Sequence, residues 1–111
     1  MSGLRLCDEV VEVIRELQRV VEGLGSVDRE CSVQLHRAAR SMALNVWEGA
    51  ASRAGCRRQR FERAYASAHE CLGCLRIGGA LGYVGGGQLE RLEPRLDSIK
   101  ARLWVLMRRP R

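Results

Sequence analysis

Three observations predict an all-α chain folded as an antiparallel up-down-up-down four-helix bundle. Apolar residues recur at spacings of three and four in four separate segments, the signature of amphipathic helices. The connections between the segments are short, and short connections force consecutive helices to pack antiparallel. No segment alternates with the period of a strand, and aromatic residues make up only 5% of the chain. The 111 residues fit a single domain, 1–111, and at 46% hydrophobic they can bury a core without disulfide or metal staples.

The first segment spans about residues 6–24. Leu6, Val10, Val13, Ile14, Leu17, Val20, Val21 and Leu24 form its apolar face, and Gly23 and Gly25 mark its end. The second spans about 27–52, with Ser26 or Asp28 as N-cap. Its apolar stripe is Leu35, Ala38, Ala39, Met42, Val46 and Gly49; a polar stripe of Gln34, Arg37, Ser41, Asn45 and Glu48 runs beside it. Arg53 to Arg58 reads as the connection, with Gly55 as breaker. The third segment spans about 58–81 and buries Phe61, Ala64, Ala68, Cys71, Leu72, Leu75 and Ala80. Gly78 and Gly79 read as a fraying end, with close helix contact as the alternative. Gly82 to Gly87 reads as a flexible loop. The fourth segment spans about 88–107, where Leu89, Leu92, Leu96, Ile99, Leu103 and Leu106 form a heptad seam. Pro94 implies a kink or a start near Glu93.

Net charge is +6, and Lys100 is the sole lysine among 19 basic residues. Such a surface suits a polyanion, although a GC-rich coding sequence would enrich arginine equally. No run of about 18 apolar residues exists to span a membrane. With no signal-peptide layout at the start, a cytoplasmic protein with reduced thiols is expected.

Segments two and three carry a pattern: Gln34-Leu35-His36-Arg37-Ala38-Ala39-Arg40-Ser41, then Asn45-Val46-Trp47-Glu48-Gly49. Phe61, Ala66-Ser67-Ala68-His69-Glu70 and Leu81-Gly82-Tyr83 follow. It resembles the four-helix-bundle family named for proteins encoded in intervening sequences of bacterial 23S ribosomal RNA genes. That family shows "QLRRAA-S-I-NIAEG", a phenylalanine, "A-GS--EL" and "LGY". The likeness covers about residues 30–84; His36, Trp47 and Ala66 depart from it. It implies a ring-like homo-oligomer, a homopentamer, and a relation to the accessory protein of diversity-generating retroelements. That relative binds nucleic acid and a reverse transcriptase. No catalytic residues and no cofactor come with the likeness.

If the hairpin of segments two and three turns near residue 56, Asn45 faces Ser67, Glu48 faces Arg63, and Ser41 faces Glu70, with Arg37 within reach of Glu70. This cluster reads as architecture that sets register, so removing Glu70 should destabilise the bundle. As a di-metal site it lacks ligands: bundle sites use Glu-x-x-His, but Ala51 follows Glu48 and Gly73 follows Glu70 at that spacing. Cys71 and Cys74 form a CxxC with no second pair, and read as small core residues. His36 and His69 read as surface residues. Trp47 reads as a subunit-interface anchor or as core, and Trp104 as core or boundary. No grouping of nucleophile, base and orienting acid appears, so no enzyme is expected.

Arg53, Arg57, Arg58, Arg60 and Arg63 crowd the second connection, and Arg108, Arg109 and Arg111 end the chain. Antiparallel packing brings both groups to one end of the bundle. Arginine grips phosphate bidentately, so this end is the candidate contact for the backbone of RNA or DNA. Of the aromatic residues, only Phe61 and Tyr65 interleave with these arginines, so base stacking is not indicated. The expected function is a non-catalytic oligomeric scaffold for nucleic acid, with an accessory subunit of a reverse transcriptase complex as the alternative.

Overall fold

Apolar periodicity becomes helix in all four segments. The computed structural model describes residues 2–108 and, among them, holds four α-helices and no strand: α1 (Ser2–Leu24), α2 (Arg29–Ala51), α3 (Ala54–Ala80) and α4 (Gly86–Arg108). Its principal extents are 45 × 22 × 19 Å, the long one fitting helices of 23 to 27 residues at about 1.5 Å per residue. Each helix packs on its neighbours in sequence and α4 closes against α1. Specific side chains fix the directions. Ser32 on α2 donates to the Val21 carbonyl on α1 at 2.7 Å. Arg76 pairs with Glu93, and Lys100 meets His69, between α3 and α4. Arg91 and Arg95 reach Glu16 at 2.8 and 3.3 Å, and Arg102 pairs with Glu9, between α4 and α1. All these pairs run antiparallel.

The core follows the predicted stripes. The seam of α4 is buried from Leu92 to Leu106, and Leu89 packs half-buried at its edge. All six residues of the apolar stripe of α2 are buried. Cys71 and Cys74 sit in the core, while Ala80 is exposed. All five cysteines are free thiols.

Three boundaries differ from expectation. The second connection is not Arg53–Arg58 but two extended residues, Ser52 and Arg53, after which α3 starts at Ala54 with Gly55 inside it. Arg57 N–H already donates to the Arg53 carbonyl at 3.0 Å. Of the two candidate caps for α2, Asp28 is the one used: its carboxylate accepts from Cys31 N–H at 3.0 Å.

The third connection is an ordered stop rather than a flexible loop. Gly82 takes a positive φ of 81°, Tyr83 N–H donates to the Gly78 carbonyl at 2.8 Å and Gly82 N–H to that of Gly79 at 3.1 Å. This is the Schellman arrangement, which satisfies the last carbonyls of a helix. Gly78 and Gly79 therefore mark close contact, not fraying. A Cβ on Gly78 would stand 2.7 Å from Val84 Cγ2, and one on Gly79 would stand 3.2 Å from Leu89. Finally, α4 begins at Gly86, so Pro94 lies inside the helix rather than at its start. Pro94 and Glu90 are both exposed, so the carbonyl that loses its partner there lies on the solvent side.

Candidate nucleic-acid interface

The early start of α3 resets the hairpin register. Ser67 Oγ donates to Ser41 Oγ at 2.8 Å, and Arg60 pairs with Glu48 at 2.8 Å. Both pairs are symmetric about residue 54, not 56. The expected pairs of Glu48 with Arg63 and Ser41 with Glu70 are therefore displaced by about one turn. Glu70 is exposed and makes no ion pair among the described residues, so it does not hold the bundle together. Arg37 is likewise exposed and does not pair with it.

The polar cluster that does form is small. Buried Asn45 donates through Nδ2 to the Ser41 carbonyl at 2.8 Å and to Ser41 Oγ at 3.2 Å. Asn45 thus reaches Ser67 only through Ser41. Its Oδ1 is buried and meets no donor among the described residues. Ser41, Leu44, Asn45 and Glu48 line a shallow groove of about 330 Å³ between α2 and α3, together with Arg37, Arg40, Arg60 and Arg63. One carboxylate faces four guanidinium groups there.

Of the arginines assigned to the basic end, Arg53 caps α3, Arg57, Arg58, Arg60 and Arg63 follow on its first turns, and Arg108 ends α4; Arg109 and Arg111 lie outside the described residues. Two of these arginines are neutralised, Arg60 by Glu48 and Arg58 by Glu62 at 3.5 Å. Arg53, Arg57, Arg63 and Arg108 form no ion pair among the described residues. Arg57 lies over the Phe61 ring at 5.4 Å. Phe61 itself is fully buried, so it offers no face to a base. Lys100 and Trp104, both against Tyr65, show that the C-terminal half of α4 runs beside the N-terminal half of α3. Arg108 therefore stands with the α3 arginines.

The tryptophans resolve differently from either core reading. Trp47 is 63% exposed and Trp104 47% exposed. Trp104 packs on Tyr65 with ring centroids 5.8 Å apart, a contact between residues far apart in sequence that spacing alone did not reveal. Trp47 lines an apolar depression with Cys7, Ala50 and Ala51, and exposed Leu44 continues the same face. His36 and His69 are exposed.

Cys7, Cys71 and Cys74 are buried, Cys31 is half-buried and Cys56 is exposed. Burial pushes the Cys71 thiol up to about 12, with Cys74 and Glu70 adding to it. Burial also raises Cys74 and Cys31. No group of three or more His, Cys, Asp or Glu side chains is arranged to hold a metal among the described residues. No helix is long and apolar enough to cross a membrane among those residues.

No protein-family model matches the chain, and no curated protein matches it. Among solved structures, it is similar to a protein of unknown function from the S23 ribosomal protein family of Bacteroides thetaiotaomicron VPI-5482. The TM-score is 0.85 at 18% sequence identity, over 94% of this chain and 99% of that one. A likeness at that identity establishes that the two chains share a four-helix fold from end to end.

Proposed function

We propose that this protein is a non-catalytic, self-associating scaffold that binds RNA or DNA through phosphate contacts, with little sequence preference. The observation that carries the reading is the meeting of Arg53, Arg57, Arg63 and Arg108 at one end, none of them neutralised by a carboxylate among the described residues. Arg37 and Arg40 extend that charge along the α2–α3 groove. Guanidinium groups on exposed helix ends read phosphate, not base edges, which gives affinity without sequence choice. Self-association, a ring on the family resemblance, would use the exposed Leu44 and Trp47 face and repeat the basic end around the assembly, adding avidity. If light scattering instead gives a monomer, that face is left for another protein, and the reverse-transcriptase subunit becomes the better reading.

Fluorescence anisotropy with a labelled RNA of arbitrary sequence tests the proposal. The affinity should fall log-linearly with salt, and replacing Arg53, Arg57 and Arg63 with Gln should flatten that slope by about one for each phosphate no longer gripped. Binding that ignores both salt and the triple substitution would refute it.

A further inference from the structure

The α3–α4 face beside the basic end carries a feature that phosphate contact does not use. Trp104 follows buried Leu103, so its indole points away from the core and stays 47% exposed. It rests against half-buried Tyr65, with the two planes inclined by 47°. Cations cover both rings. The Arg108 guanidinium carbon lies 5.1 Å from the indole centroid, and Lys100 Nζ lies 5.3 Å from the Tyr65 centroid and 2.9 Å from His69 Nδ1. Neither Lys100 nor Arg108 forms an ion pair among the described residues. Glu62, three residues before Tyr65, is taken up by Arg58.

The indole is not part of the buried core: nearly half of its surface is open to solvent. Aromatic faces ringed by cations, next to a phosphate-binding surface, suit one kind of ligand: a polynucleotide with unpaired bases. Every base has a π-face, but a duplex hides those faces in its own stack. We infer that Trp104, backed by Tyr65, is a stacking platform that makes the protein prefer single-stranded nucleic acid. The inference rests on the phosphate-binding reading above and narrows its ligand. The strand runs from the Arg57 end of α3 toward Tyr65, a rise of about 12 Å along the helix. A base displaces Arg108 from the indole, and the freed guanidinium takes the adjoining phosphate. RNA and DNA are bound alike, because the platform meets base faces and phosphates rather than sugars.

The test uses the full chain and labelled strands of equal length: oligothymidine, oligouridine, an abasic deoxyribose-phosphate strand and a DNA duplex. At one salt concentration the single strands with bases should bind about fivefold or more tighter than the abasic strand, the lower end of what one stacked base contributes. They should also bind tighter than the duplex. Trp104→Leu should bring oligothymidine down to the abasic affinity while leaving abasic binding and its salt slope unchanged; Trp104→Phe should keep part of the discrimination. Circular dichroism confirms that each variant is folded. Equal binding of abasic and oligothymidine strands by the wild type would overturn the inference. So would discrimination that survives Trp104→Leu, or a Trp104→Leu variant that changes only the assembly mass. In each case salt-dependent abasic binding would leave the phosphate reading standing, whereas no binding of any strand would remove both.

Discussion

Gly49→Ala should unfold this bundle more easily although alanine is the better helix former. A Cβ at position 49 lands 2.6 Å from Phe61 Cε1, 2.7 Å from Cδ1 and 3.2 Å from Cζ. Carbon atoms settle at about 3.5–4.0 Å, so ring and helix must part by about 1 Å. Phe61 is fully buried and cannot swing outward. Over-packing of this kind costs about 1–3 kcal/mol. The helical preference for alanine returns at most about 1 kcal/mol, and less here because Gly49 is close to the end of α2. A net loss of about 1–2 kcal/mol lowers the melting midpoint by roughly 4–8 °C for a chain of this size. The control is Gly73→Ala. That position is mid-helix in α3 with nothing within 4 Å of the added methyl group, so it should gain up to about 1 kcal/mol. The assay is thermal melting followed by far-ultraviolet circular dichroism. A second arm places Gly49→Ala in a Phe61→Leu background, where the smaller side chain should absorb part of the cost. A Gly49→Ala protein that melts at or above the wild type would refute the packing argument.

Other outcomes follow from the same geometry. Exposed Cys56 should react with a thiol reagent at once in the native protein, while Cys71, buried and pushed up to about 12, should react only as the bundle unfolds; simultaneous labelling would contradict its burial. The Arg91 hydrogen bond, opposed by burial and reinforced by the charges of Arg91 and Arg95, holds the Glu16 carboxyl below its usual 4.5. A lowered carboxylate contributes stability that is complete above about pH 4.5 and fades as pH falls through the folded value. Glu16→Gln should therefore cost up to about 1 kcal/mol at neutral pH and flatten the acid side of the stability profile, as read by urea melts across pH. Glu70→Ala should leave stability within about 0.5 kcal/mol, since the side chain is exposed and makes no ion pair among the described residues; a larger loss in urea titration would restore it to the structural cluster.

The helices and their buried faces were legible in the sequence because helical periodicity is local. Val10, Val13 and Leu17 declare one face of α1 without reference to anything else, and the α4 seam does the same. The basic end was legible too, once the chain was taken to reverse at each short connection. Partner choice was not. The start of α3 lies four residues earlier than composition suggests, and four residues are close to one helical turn. The polar stripe on α2 therefore kept its face while its partners moved: Glu48 took Arg60 instead of Arg63, and Ser41 took Ser67 instead of Glu70. The Gly78 contact with Val84 needed the Schellman turn, and the Tyr65–Trp104 pair needed two helices brought side by side across that turn. Periodicity says which side of a helix is buried. Only the lengths and conformations of the turns, summed through the packed bundle, say which residue on the next helix stands opposite.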